Sequence, residues 1–135
     1  MDISNILRQH DEVFEIVKKM RTYQNQEKVQ EYAFEISKLL AQLSGILKVH
    51  LLSEDKFVYP ALMKQQDVKV RTTAETFAKE MGELGAIFEV YKAKYLLASK
   101  IADDAVAFLA ATKDVLIALE NRINRENAYL YPLLK

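Results

Sequence analysis

The chain has 135 residues, of which two are histidine and none cysteine, so any metal or acid–base chemistry must be carried by very few groups. His50 and Glu54 are spaced i, i+4, which on a helix presents an imidazole and a carboxylate from adjacent turns of one face. The segment from His50 through Glu54, Tyr59 and Pro60 to Leu62 aligns with Arg122 through Glu126, Tyr131 and Pro132 to Leu134, and the two Tyr-Pro pairs contain the chain's 2 prolines. Such a repeat implies two related helix pairs, so Glu54 and Glu126 are expected to face one another at the same depth of a core. Two buried carboxylates cannot both stay ionised without a cation between them. The sequence offers two cations. One is a metal held by His10, His50, Glu54 and Glu126, a mixed imidazole and carboxylate set that suits iron, manganese or zinc. The other is Arg122, able to pair bidentately with a carboxylate and standing where the repeat asks for a second histidine.

Each of these groups also has a competing structural role. Glu54 and Glu126 could be neutralised by Arg122, Lys56 or tyrosine hydroxyls alone. Tyr91 and Tyr95 fall on an inward stripe, where core packing with a hydroxyl reaching a polar partner is the first expectation and a place beside a metal the second. Gly82 and Gly85 lie inside a helix at a cost of up to about 1 kcal/mol each. Close packing against a facing helix is the favoured reason for them, and a gap admitting a small molecule is the alternative. Glu80 or Glu83 adds a carboxylate to the site only if its helix is rotated or distorted near those glycines.

The elements that must position these groups are helices. Gly and Pro number 3 and 2, too few for a turn-rich β fold. Ile3, Ile6, Leu7, His10, Val13, Phe14 and Val17 recur at helical spacing, which turns His10 inward. After a polar break at Thr22 to Glu27, a second stripe runs from Val29 through Tyr32, Ala33, Ile36, Leu39, Leu40, Leu43, Ile46, Leu47, His50, Leu51 and Glu54 to Val58 and Ala61. Pro60 should kink or end it. Asp67 is the expected N-cap of a third helix with Val70, Ala74, Phe77, Met81, Leu84, Phe88, Tyr91 and Tyr95 on its apolar face. A fourth starts near Ser99 to Asp104 and carries Val106, Leu109, Leu116, Leu119, Ile123, Glu126 and Leu130. The expected fold is all-α: a single domain over residues 1–135, an antiparallel up-down-up-down four-helix bundle with a pseudo-twofold repeat of helix pairs.

Composition narrows the partners. The formal net charge is +0, which gives no support for nucleic-acid binding. No apolar run approaches a membrane span and the acidic start is unlike a signal peptide, so a cytoplasmic location without membrane attachment is expected. Absence of cysteine removes disulfides, thiolate metal sites and a cysteine nucleophile. No nucleophile grouping or phosphate loop singles out an enzyme, which ranks last among the readings.

A histidine in the first helix, the His50-x-x-x-Glu54 motif ahead of Tyr59-Pro60, a Glu-rich third helix and a second x-x-x-Glu126 motif ahead of Tyr131-Pro132 together resemble the hemerythrin-like, HHE cation-binding family, across essentially the whole chain. The resemblance implies a four-helix bundle around a non-haem di-iron centre, with His10, His50, Glu54 and Glu126 matching ligand positions. Two positions depart from the pattern. Met81 stands where the third-helix histidine would fall, and Arg122 where the fourth-helix histidine would. A thioether is a poor ligand beside oxygen donors, and a guanidinium repels a cation. With those departures, the resemblance implies a metal-binding domain with a degenerate iron site, mono- or dinuclear, sensing or storing dioxygen, nitric oxide or iron. The alternative is a metal-free scaffold or interaction module, open to a protein partner or a second copy, in which Arg122 pairs with Glu54 and Glu126.

Overall fold

The computed structural model describes residues 1–134, and among them every regular element is helical, with no strand. In chain order these are α1 (Ser4–Met20), α2 (Gln26–Glu31), α3 (Ala33–Ser53), a first π turn (Glu54–Val58), α4 (Tyr59–Met63), α5 (Val68–Tyr95), α6 (Ala98–Asp103), α7 (Ala105–Arg125), a second π turn (Glu126–Leu130) and a 3-10 turn (Tyr131–Leu133). No described helix is long and apolar enough to cross a membrane.

Capping sets where the helices begin. Asp67 caps α5 as expected, its Oδ1 accepting from the Lys69 N–H at 2.9 Å. Two breaks were not legible in the apolar stripes. Tyr32 leaves the helical region at φ −108°, ψ 22°, so Val29 belongs to α2, which Asn25 caps through Lys28 N–H at 2.8 Å, and Ala33 opens α3. Likewise Ser99 lies in a separate α6, while Asp104, at φ −141°, ψ 70°, starts α7 by accepting from the Ala107 N–H at 3.1 Å. That break resets the helical phase: Val106 points outward, 61% exposed, while Ala105 and Phe108 are buried.

These breaks extend the internal repeat. α2 recurs as α6, α3 as α7 and the first π turn as the second, each 72 residues on. Packing repeats with them: α1 lies on α3 as α5 lies on α7, and α2 touches α7 as α6 touches α3. Each π turn precedes a Tyr-Pro pair, and proline chemistry accounts for this. A proline has no N–H to donate and its ring clashes with the carbonyl four residues back. Widening the turn by one residue relieves the clash, and the preceding N–H bonds five residues back instead, Tyr59 to the Glu54 carbonyl and Tyr131 to the Glu126 carbonyl.

The core has two apolar clusters with a polar layer between them. Val13, Leu47, Phe88 and Leu119 belong to the larger, and Ile6, Val58, Phe77 and Leu130 to the smaller. On each of the four long helical runs the chain passes from one cluster to the other through a layer residue: His10, then His50 and Glu54, then Met81, then Arg122 and Glu126.

Candidate metal centre

His10 and His50 come within bonding distance at the middle of the layer, Nε2 to Nε2 at 3.1 Å. Their other ring nitrogens are tied outward. His10 Nδ1 donates to Asn127 Oδ1 at 2.9 Å, and His50 Nδ1 donates to Gln9 Oε1 at 2.9 Å. With the ring protons held there, both Nε2 lone pairs point inward, the arrangement by which outer partners fix the tautomer of metal-binding histidines. Glu126 Oε1 closes the triangle at 2.8 Å from His10 Nε2 and 3.2 Å from His50 Nε2. All three residues are buried, and one donor atom from each lies within 4.8 Å of the others.

The π turns bring a phenol into this triangle. Tyr131 follows Glu126 by five residues, which an α-helix would carry to a different face, but the i to i+5 bond of the turn stacks it over Glu126. Its hydroxyl oxygen lies 3.1 Å from His10 Nε2 and 3.5 Å from His50 Nε2. It also donates toward Glu54 Oε2 and Glu126 Oε1, each at 3.0 Å. The Tyr-Pro repeat flagged this position; helical periodicity gave no reason to place its hydroxyl among the ligands.

The two glutamates are electrostatically distinct. Burial, together with the charge and hydrogen bonding of Glu126, pushes the Glu54 carboxyl up to about 9, so it is protonated at neutral pH. Burial acts on Glu126 in the same sense, but hydrogen bonds from His10 and His50, which donate to it when a proton rather than a metal occupies their Nε2 atoms, together with the Arg122 charge outweigh it and hold its carboxyl well below the usual range. Burial and the two carboxylates push the Tyr131 phenol far above its ordinary value. Glu54 Oε1 has no hydrogen-bond partner and lies 3.5 Å from His50 Nε2.

Arg122 occupies the repeat-related half of the layer. Its Nε donates to Glu126 Oε2 at 2.8 Å and its Nη2 to the Tyr59 hydroxyl at 3.0 Å, so it serves one carboxylate through a single bond rather than two. The guanidinium stacks on Phe77, 4.6 Å from the ring centroid. Lys56 is exposed over the Phe57 ring and takes no part. Glu80 is turned to the surface, where Arg125 grips both of its oxygens at 2.7 and 3.2 Å, and Glu83 is exposed, so neither adds a carboxylate. Tyr91 bonds Thr112 Oγ1 at 2.7 Å inside the larger apolar cluster, and Tyr95 packs edge-on to Phe108; both serve the core. The expected close packing at the glycines is not found. A Cβ at Gly82 or Gly85 would meet nothing within 4 Å, and Gly85 instead lines a cleft of about 190 Å³ with Leu47, Leu51, Met81, Phe88 and Leu119.

The donor set decides which half suits a cation. Around His10, His50 and Glu126, two imidazole lone pairs and a carboxylate oxygen converge, with the Tyr131 hydroxyl proton and the Glu54 carboxyl proton beside them, and Glu54 Oε1 has no hydrogen-bond partner. A transition-metal ion with nitrogen and oxygen ligands fits there. The other half offers Met81 and a fixed positive charge, and it does not fit a second metal.

The sequence model of the family described as Hemerythrin HHE cation binding domain matches residues 1–134. No curated protein and no solved structure matches the chain.

Proposed function

Because the chain belongs to the hemerythrin HHE cation-binding domain family, we propose that it binds one transition-metal ion, iron first among them, through His10, His50, Glu54 and Glu126. The elements then form an antiparallel up-down-up-down bundle whose two halves differ in what supplies the positive charge: metal in one, Arg122 in the other. The observation that carries this reading is the pair of Nε2 atoms 3.1 Å apart, both with their N–H directed away. Two lone pairs and an ionised carboxylate at such separations repel unless a cation lies among them.

An iron ion there would supply a one-electron couple and a coordination position for a small diatomic ligand. The chain's own groups do the rest. Gln9 and Asn127 orient the imidazoles, Arg122 keeps Glu126 ionised, and Glu54 gives up its proton to become a ligand. The apolar cleft that Leu47 and Leu119 line, one turn from His50 and Arg122, has a volume of about 190 Å³, room for a small molecule beside the polar layer. A role in sensing or storing dioxygen, nitric oxide or iron is consistent with such a site, with no substrate-binding pocket required.

A metal-free module is the second reading, favoured by the buried Arg122–Glu126 pair at 2.8 Å. That pair neutralises one carboxylate but leaves the imidazole lone pairs unanswered. Anaerobic titration with Fe(II) or Co(II) separates the two: saturable binding that His50→Ala abolishes supports the metal reading, and no binding by the unaltered protein rejects it.

A further inference from the structure

We propose that the Tyr131 phenolic oxygen is itself a metal ligand, completing a four-cornered cage with His10, His50 and Glu126. The inference rests on the metal-binding reading and adds a ligand type that the His and Glu motifs do not contain. The six separations among the four donor atoms are 3.1, 2.8, 3.2, 3.1, 3.5 and 3.0 Å. Four points mutually separated by nearly one distance are the corners of a tetrahedron. With edges of about 3.1 Å its centre lies about 1.9 Å from each corner, and opening the edges to about 3.4 Å gives the 2.0 to 2.2 Å bonds usual for nitrogen and oxygen ligands. Three donors alone would leave one face of the centre open; the phenol closes that face. Glu54, whose Oε2 is 3.0 Å from the same hydroxyl, stands beside the cage as a fifth donor.

The internal repeat supports the assignment independently. Tyr59 is the counterpart of Tyr131 in the other half, and its oxygen already faces a cation, accepting from Arg122 Nη2 at 3.0 Å. In both halves the i+5 tyrosine after the glutamate brings its oxygen to the place where positive charge belongs. Coordination replaces the O–H bond of Tyr131 by an oxygen–metal bond, and the proton leaves to solvent. No oxidant or reductant is consumed in that step.

The test is spectroscopic. The protein is loaded anaerobically with Fe(II) and then oxidised with ferricyanide, so that a phenolate ligand announces itself by a visible phenolate-to-iron charge-transfer band and by tyrosinate vibrations in the resonance Raman spectrum excited there. The unaltered protein is expected to show both, and Tyr59→Phe to keep them. Tyr131→Phe is expected to lose the band while still binding metal more weakly by about tenfold or more, at least the cost of losing an outer-shell partner. A loaded protein without the band, or a band that survives in Tyr131→Phe, overturns the assignment and leaves the metal-binding reading standing. Protein that takes up no iron at all overturns both. Since the Raman signature is read on the unaltered chain, the assignment is decided even if Tyr131→Phe fails to fold.

Discussion

Replacing Arg122 by methionine tests what holds the polar layer together. The side chain is 5% exposed and Glu126 is 1% exposed, so the substitution strands an ionised carboxylate where water does not reach. Glu126 Oε2 loses its donor, the Tyr59 hydroxyl loses another, and Phe77 loses the guanidinium stacked on it. Breaking a buried pair by removing one partner costs about 3 to 5 kcal/mol. For a chain of this length that corresponds to a melting temperature lower by roughly 10 to 20 °C, measured by circular dichroism on metal-free protein at pH 7. Arg125→Met provides the comparison, because it removes an exposed pair with Glu80 and a guanidinium 4.9 Å from the centroid of the same Phe77 ring while leaving no buried carboxylate unpaired, and should cost about 1 to 2 kcal/mol. In a Glu126→Gln background the Arg122→Met loss should shrink, giving a coupling energy of about 1 kcal/mol or more in a double-mutant cycle. A drop below about 3 °C, or additive effects in the cycle, would refute the claim that a desolvated ion pair organises the layer.

The metal-free protein should also lose stability toward alkaline pH. Glu54 ordinarily titrates near 4.5 and does so at about 9 in the fold, so the folded chain keeps a proton that the unfolded chain releases. The stability it contributes is fully present below about pH 4.5 and drains away as pH rises to about 9, by at most about 1.4 kcal/mol per pH unit; urea titrations should show this limb, and Glu54→Gln should flatten it. Glu126 works in the opposite sense, its depressed value giving stability above about 4.5 that is lost on further acidification. The double substitution Met81→His with Arg122→His removes the fixed charge and adds two imidazoles, so metal content measured by plasma emission should rise from one to two per chain; an unchanged content would show that these two positions do not limit the second site.

Much of this was legible in the residues. The 3.6-residue stripes located the four long helical runs and turned His10, His50, Glu54 and Glu126 inward, because a residue on an apolar stripe has nowhere else to point. The two Tyr-Pro pairs exposed the repeat. What the stripes missed depends on departures from the α-helical period. Tyr131 stands five residues from Glu126, and only a π turn brings i and i+5 over one another. The short α2 and α6 end at Tyr32 and Asp104, where single backbone conformations reset the phase without any break in hydrophobicity, which is why Phe108 rather than Val106 fills the core. The glycines misled in the other direction: their cost inside a helix is a sound argument for a purpose, but whether that purpose is contact or space depends on which helix lies opposite. Glu80 shows the same limit, since its proximity in sequence to Met81 says nothing about the arginine that meets it on the surface of α7.

In the proposed reading, one half of the polar layer takes its positive charge from a metal and the other from Arg122. Elemental analysis of the purified chain after anaerobic loading with Fe(II) and removal of excess tests that division most directly. One metal per chain, falling to background in His50→Ala, is the predicted result. Two per chain would mean that Arg122 does not displace the second metal, and none would mean that the histidine lone pairs are answered by something other than a metal.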